Sequence, residues 1–131
     1  MPLCQEEGIA VTPYSPLASG RLARAWSEST QRLESDPIAK MKYEKTAVAD
    51  KQVVDRLAEI AEKQGVPHAH ISLAWLLHKK AVAAPVIGAT KLSHLESAIE
   101  AVSVHLTPEE MAYLEEPYVP HELVGLIPYP G

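Results

Sequence analysis

Apolar and polar positions recur most regularly in the middle of the chain, where they predict two consecutive helices. Five apolar residues recur there at the spacing of one helical face: Val53, Val54, Leu57, Ile60 and Ala61. This spacing predicts an amphipathic helix over residues 51–64, with Asp50 as its N-cap and Gly65 at its C-terminal end. After Pro67 the apolar residues occupy more than one side, so we expect a second, more buried helix over residues 68–79.

Apolar spacing and capping signals predict two further helices towards the end of the chain. One apolar set again has helical spacing: Leu95, Ala98, Ile99 and Val102. Ser93 followed by Glu96 has the capping-box pattern at the start of this third helix. Thr107 and Glu110 form a second capping box, which predicts a short fourth helix that ends before Pro117 and is followed by an irregular tail.

Two short apolar runs bounded by turn-forming residues predict β-strands over residues 9–14 and 84–88. Residues 21–49 show no clear period and are predicted as a long irregular loop, which in a compact domain is usually functional. In this loop Tyr43 is a large anchor, and Trp26 fits either a cover over a ligand or a core anchor. The order β, loop, α, α, β, α, α indicates an α/β protein with parallel strands, yet two strands do not form a stable parallel sheet by themselves.

Composition narrows the class of protein. The chain has 131 residues and a net charge of −5, whereas a nucleic-acid-binding surface would be basic. No apolar run approaches the roughly 18 residues of a membrane span, and the first residues lack the features of a secretory signal. Cys4 is the only cysteine, which favours a reducing, cytoplasmic compartment. The length suits one domain but is far below the roughly 250 residues of a complete (β/α)₈ barrel.

The first predicted strand is followed by residues that suit an anionic ligand. Residues 14–21, Tyr-Ser-Pro-Leu-Ala-Ser-Gly-Arg, offer an aromatic ring, two hydroxyls, a flexible glycine and a guanidinium. Ligands of parallel α/β proteins bind at the carboxyl ends of strands, and these groups match a phosphate or pyrophosphate. A proline-rich turn with an exposed Arg21 is the alternative interpretation.

The second predicted strand leads through Gly88 to the start of the third helix. The free N–H groups and the dipole of a helix N-terminus form a natural anion site. Lys91 is unfavourable beside this positive helix end unless an anion binds there. The alternative is that Lys91 lies outside the helix as a solvated charge.

Other combinations of reactive residue types are incomplete. His68, His70 and His78 lack a cysteine or carboxylate at ligand spacing, so no metal site is predicted. The sequence holds neither a glycine-rich dinucleotide fingerprint nor a phosphate loop ending in Gly-Lys-Ser/Thr. Glu109 and Glu110 are interpreted as a helix cap and a solvated face rather than as paired catalytic acids.

The two junctions, taken together and in order, resemble the aldo-keto reductase superfamily. Residues 8–20 are similar to the seventh barrel strand and cofactor loop of that family. Residues 84–91 are similar to its eighth strand and to the loop that holds the adenosine 2′-phosphate of NADP. Residues 73–77 resemble the helix before the eighth strand, and residues 117–121 resemble the tail of a bacterial branch related to the potassium-channel beta subunits. The resemblance covers essentially the whole chain.

The resemblance implies the C-terminal part of a (β/α)₈ TIM barrel, with residues 1–131 as its last two βα units plus extra helices, incomplete as a barrel alone. It also implies NADP(H) as the cofactor, with Tyr14 at the position that stacks on the nicotinamide. The positions along the pyrophosphate correspond here to Ser15, Leu17, Ser19, Gly20 and Arg21. The positions at the adenosine end and its 2′-phosphate correspond to Gly88, Thr90, Lys91 and His94. Relatives often carry Gln or Arg in place of His94, and Glu and Asn in place of Ser97 and Ala98.

The resemblance further implies what these residues lack. The catalytic Asp, Tyr, Lys and His of the family belong to earlier barrel strands, and no segment here matches those strands. In the family the Tyr donates a proton to the carbonyl, and the Lys lowers the pKa of that Tyr. We therefore expect this chain to be the NADP(H)-binding portion of an oxidoreductase. The intact family member would act on a small carbonyl substrate, whereas these residues alone are expected to be inactive.

The alternative is a non-catalytic interaction module derived from the same fold. The unpaired edges of the two predicted strands would recruit a second copy, forming a homo-oligomer, or a complementing chain that supplies the missing strands. Neither interpretation identifies the substrate, because the pocket would be built largely from strands that these residues do not include.

Overall fold

A computed structural model describes residues 2–28 and 35–120 of the chain. The helical elements run in this order: α1 (Pro2–Glu6), a 3₁₀ turn (Ala18–Ala23), α2 (Pro37–Tyr43), a second 3₁₀ turn (Glu44–Thr46), α3 (Ala47–Gln64), α4 (His68–Leu77), α5 (Leu92–Glu100), a third 3₁₀ turn (Ala101–Ser103) and α6 (Pro108–Glu115). Most of the predicted tail lies outside the described residues. In the described ranges no helix combines the length and apolar character needed to cross a membrane.

The core lies where α3, α4 and α6 pack against one another. Its buried side chains come from these helices and from the segment before α6: Leu57, Ile60, Ala61, Ile71, Ala74, Leu106 and Leu114. The consecutive residues 70–74 of α4 are all buried, and Ile71 is completely so. The prediction of a second helix that is apolar on more than one side and well buried is therefore confirmed.

Helix α3 forms as its apolar pattern predicts but begins four residues earlier than expected, at Ala47 instead of residue 51. The prediction of Asp50 as the N-cap is therefore wrong. Asp50 lies inside the first turn, where its carboxylate accepts a hydrogen bond of 2.7 Å from the Thr46 hydroxyl. Gly65 ends the helix in the left-handed conformation, with a φ of 66°. The predicted glycine stop is confirmed, because only glycine adopts that backbone without a steric penalty from Cβ.

The two predicted capping boxes have opposite outcomes. The Thr107 side chain accepts a hydrogen bond from the backbone N–H of Glu110, and the Glu110 carboxylate accepts one from the backbone N–H of Thr107, so this box is confirmed. The box at Ser93 and Glu96 is wrong: α5 already starts at Leu92, and its N-cap position is Lys91, without a side-chain cap. Ser93 lies inside the helix, so its hydroxyl is not at the N-cap position from which a side chain accepts hydrogen bonds from the first free N–H groups.

The predicted strands over residues 9–14 and 84–88 do not form as strands in the described part of the chain. Two isolated parallel bridges take their place, one between Val11 and Val82 and one between Tyr14 and Val86. The pairing is parallel, as predicted, but it uses residues 82–86, which we call the second extended segment; residues 11–14 are the first. A parallel pair needs further neighbours to extend into a sheet, which accounts for the short ladder.

The prediction of an irregular loop over residues 21–49 is wrong for residues 37–49, while residues 29–34 of that range lie outside the described residues. Residues 37–49 contain α2 and the start of α3. Helix α2 begins at a local signal: the Asp36 carboxylate accepts hydrogen bonds from the backbone N–H groups of Ile38 and Ala39, at 2.9 and 3.1 Å. Pro37 stands at the first helical position, where a missing N–H costs nothing.

The apolar side of α5 is exposed. Its large apolar residues, and one in the turn that follows, remain accessible to solvent: Leu92, Leu95, Ile99 and Val102. The spacing predicted the helix correctly, but in the described residues this side has no core to pack against.

Candidate functional site

The two predicted binding regions start side by side because the extended segments run parallel. Tyr14 ends the first segment and pairs with Val86 near the end of the second. The backbone N–H of Val86 donates to the carbonyl of Pro13 at 2.8 Å, which fixes this register. We call residues 14–21 the first loop, which includes the start of the 3₁₀ turn Ala18–Ala23. We call residues 87–94 the second loop, which includes the first residues of α5. Both loops follow the carboxyl ends of parallel segments, the edge where α/β proteins bind ligands.

The backbone of the first loop is strained. Ser15, Ala18 and Ser19 have positive φ angles of 51°, 48° and 58°, and Gly20 has a φ of 96°. In the described ranges every non-glycine residue with a positive φ lies in this loop. This conformation is uncommon for residues with a Cβ, and such strain is concentrated at functional sites. The observation motivates the hypothesis that the loop binds a ligand.

Two aromatic rings hold the guanidinium of Arg21. Its Cζ atom lies 5.3 Å from the centroid of the Trp26 ring and 5.5 Å from that of the Tyr43 ring. Burial raises the pKa of Tyr43, so its phenol stays neutral near pH 7. The Arg21 Nε is buried and has no hydrogen-bond partner among the described residues. Arg21 is thus oriented by contacts that leave donor capacity for an anion.

Further cationic side chains surround the first loop. The Lys42 Nζ lies 5.5 Å from the centroid of the Tyr14 ring, and Tyr14 itself is 72% exposed. The Arg24 Nε donates to the carbonyl of Gly20 at 3.3 Å. The surroundings of this loop are therefore basic, although the chain as a whole is acidic.

Ser72 anchors the first loop and was not among the site residues predicted from the sequence. Its buried hydroxyl donates to the carbonyl of Leu22 at 2.8 Å and lies 3.1 Å from the carbonyl of His68. Leu22 belongs to the 3₁₀ turn that continues the first loop, so the bond fastens this turn to α4. A serine among the apolar residues of a helix predicted to be buried was the available signal, because buried hydroxyls are almost always hydrogen-bonded.

The second loop is open to solvent. Its predicted residues are all exposed: Gly88, Thr90, Lys91 and His94. Lys91 occupies the N-cap position of α5, so its backbone lies at the helix N-terminus, and its side chain is exposed. Ser97 is the sixth residue of α5, and its hydroxyl lies 2.8 Å from Nε2 of His70 on α4. This contact holds the middle of α5 against α4.

Comparison with known proteins decides the family. The sequence model that describes the aldo/keto reductase family matches residues 1–118 of this chain. The chain belongs to the aldo/keto reductase family. Membership implies a (β/α)₈ barrel, and the short parallel pairing seen here is consistent with an incomplete one.

Several curated proteins are similar to most of this chain. The versiconal hemiacetal acetate reductase of Aspergillus parasiticus is 39% identical over 92% of this chain and 35% of its own length. An aldo-keto reductase of Metarhizium robertsii is 40% identical over 93% of this chain and 33% of its own length. An aldo-keto reductase of Fusarium vanettenii is 37% identical, with the same coverage of both chains. The chain thus spans about a third of the length of these relatives.

The residues of the first loop fit the anionic part of the NADP(H) that aldo/keto reductases generally use. The buried Arg21 Nε without a partner is a donor that a bound anion would satisfy. At Gly20, a Cβ would lie 3.4 Å from the Arg24 guanidinium, on a backbone that favours glycine. The loop therefore offers hydrogen-bond donors and positive charge, and its backbone at Gly20 would be strained by any side chain.

Two tyrosines of the described residues differ from the family's proton donor, whose pKa must fall. Burial raises the pKa of Tyr43, and the hydrogen bond from Tyr113 to Glu59 raises the pKa of Tyr113. Tyr14 lies against a lysine, but through the face of its ring.

Two of the three histidines considered above have ordinary structural contacts, whereas Nδ1 of His68 is buried without a hydrogen-bond partner among the described residues. His70 contacts Ser97, and Nδ1 of His78 lies 2.8 Å from the carbonyl of Ala74 in the preceding turn. In residues 2–28 and 35–120, no group of three or more metal-ligating side chains comes together.

Proposed function

We propose that these residues form the NADP(H)-binding portion of an aldo-keto reductase-type oxidoreductase. Residues 1–131 then correspond to the last two βα units of the barrel and its C-terminal helices. The observation that supports this most strongly is the strained first loop, with a partnerless buried Arg21 donor, placed beside the second loop by the Tyr14–Val86 bridge. The relatives compared above are fungal, so a place in the bacterial branch stays a prediction from residues 117–121.

In this proposal each loop binds one end of the cofactor. Tyr14 stacks on the nicotinamide, and the second loop receives the adenosine end, with Lys91 and the helix N-terminus facing the 2′-phosphate. The pyrophosphate lies along the first loop: Ser15, Leu17, Ser19, Gly20 and Arg21. The remaining residues of the second loop complete the adenosine end: Gly88, Thr90 and His94. Bound NADPH supplies a hydride, while these residues bind and orient it.

The chemical step itself needs groups outside this set. The family's Asp, Tyr, Lys and His would come from earlier strands, which would also shape the pocket for a small carbonyl substrate. We therefore propose that these 131 residues bind the cofactor but do not transfer hydride by themselves. Cytoplasmic localisation is part of the same proposal, since it rests on the acidic charge and the single cysteine.

Titration of the purified chain with NADPH and NADH tests the cofactor assignment. NADPH should bind more tightly, because only it carries the 2′-phosphate that Lys91 faces. Lys91→Ala should weaken NADPH binding by roughly fivefold or more, the effect of one lost charge-assisted contact, and leave NADH nearly unchanged. Lys80→Ala, which removes an exposed charge outside both loops, serves as the control. Equal binding of the two cofactors, or none, would refute the assignment.

A self-associating, non-catalytic module is the second candidate function. The exposed apolar side of α5, which includes Ile99 at 61% exposure, favours it, since such a surface is usually covered in solution. Size-exclusion chromatography should then show a dimer or larger species that Ile99→Glu converts to a monomer. A folded wild-type monomer across the concentration range would rule this candidate out.

A further inference from the structure

Helix α2 holds the first loop at two points. Tyr43, at the end of the helix, lies 5.5 Å from the Arg21 guanidinium, and the adjacent Lys42 places its Nζ 5.5 Å from the Tyr14 ring centroid. Tyr14 is 72% exposed, so most of its ring surface is accessible to a flat ligand. Lys42 is thus a cation placed beside the aromatic ring at the end of the first extended segment.

A cation at this place distinguishes the two redox states of a nicotinamide cofactor. The nicotinamide ring carries a positive charge in NADP⁺ and none in NADPH, while the rest of the molecule is the same apart from the transferred hydride. Like charges close together repel, and this repulsion weakens with their distance and with the polarity of the medium between them. Arg21 contacts Trp26 and Tyr43 instead, so Lys42 is the cation directed at the Tyr14 ring.

We propose that Lys42 is a specificity-determining residue that biases the site towards the reduced cofactor. The proposal rests on the proposed function, in which Tyr14 receives the nicotinamide. Lys42 leaves the affinity for NADPH largely unaffected and lowers the affinity for NADP⁺. The bias favours loading with NADPH and release of NADP⁺.

The test is the ratio of two dissociation constants, Kd for NADP⁺ divided by Kd for NADPH, measured by calorimetry on the purified chain. Lys42→Gln should lower this ratio by about three- to tenfold, as expected from removing one partly screened unit charge. Lys42→Arg, which keeps the charge, should retain the wild-type ratio. Lys40→Gln removes an exposed charge from the same helix and should leave the ratio unchanged.

Salt gives a second, independent readout. Raising the ionic strength from about 0.01 to 1 M shortens the Debye length from roughly 30 to 3 Å, which should bring the wild-type ratio close to that of Lys42→Gln. Circular dichroism of each variant establishes that the helices are intact.

The outcomes separate the two proposals. Binding of both cofactors with the same ratio in wild type and Lys42→Gln would overturn the role of Lys42 and leave the proposed function standing. An equal change of the ratio in Lys40→Gln would also overturn it, since the effect would then be a general property of the basic surface. Failure of both cofactors to bind the wild-type chain would overturn the proposed function, and this inference with it.

Discussion

Glu110 connects the start of α6 to α3 through a single carboxylate. It accepts hydrogen bonds from the backbone N–H of Thr107 at 3.1 Å, from Lys63 Nζ at 3.0 Å and from Gln64 Nε2 at 3.2 Å. The backbone bond from Thr107 is the main cause that lowers the pKa of Glu110, and Lys63 and Gln64 add to it against the opposing effect of burial. The charged form is therefore stabilised in the folded state.

The lowered pKa of Glu110 predicts a pH-dependent contribution to stability. A carboxylate whose pKa is depressed on folding stabilises the protein above its unfolded pKa, about 4.3, and loses this effect as the pH falls through the folded pKa. Glu110→Gln should lower the free energy of unfolding by about 1 kcal/mol at pH 7. Towards pH 3 the difference between the variant and the wild type should shrink.

Urea denaturation at the two pH values measures this difference. Glu109→Gln is the matched control, because Glu109 lies in the same first turn but is exposed. A loss of stability in Glu110→Gln that is the same at both pH values would show that its charge is not the cause.

At the scale of elements, α2 depends on its contact with the first loop. The helix is only seven residues long and buries a single residue, Ala39. Helices of this length are not stable in isolation, so the contacts of Tyr43 and Lys42 with the loop must contribute to its stability. The contact is reciprocal, since the Tyr43 ring also orients Arg21.

Substitution of Tyr43 separates the contribution of its ring from that of its hydroxyl. Tyr43→Leu removes the cation–π partner of Arg21 and should weaken the docking of α2 by about 1 kcal/mol. Hydrogen exchange of the α2 amides should become several-fold faster as a result. Tyr43→Phe keeps the ring and should exchange like wild type. Equal acceleration in both variants would mean that the hydroxyl, and not the ring, holds the helix.

At the scale of the whole molecule, catalysis and binding are expected to separate. A polypeptide of these 131 residues should show no carbonyl-dependent oxidation of NADPH, followed as absorbance at 340 nm, because in our proposal the family's proton donor would come from earlier strands. The same sample should still bind NADPH. Turnover above the rate of a Lys91→Ala, Arg21→Ala double variant would contradict this expectation.

The helices could be predicted to a large extent because their signals are local. Gly65 ends α3, and the Thr107 box starts α6, through backbone conformations and bonds that span a few residues. The signal that starts α2, Asp36 followed by Pro37, is equally local. The short helix was nevertheless not predicted, because the polar residues around this signal show no apolar period. The capping box at Ser93 failed because Lys91 takes the N-cap position and α5 begins at Leu92, one residue before the predicted cap.

The sequence by itself determined the family, the helical periods and the residues of the two loops, since these depend on residue type and spacing. Only the tertiary structure decided which distant residues meet. It paired Tyr14 with Val86, set Arg21 between Trp26 and Tyr43, and brought Lys42 to the Tyr14 ring. Those contacts depend on how α2 and the extended segments pack in space, and a periodic pattern within one element carries no information about the partners of its side chains in another.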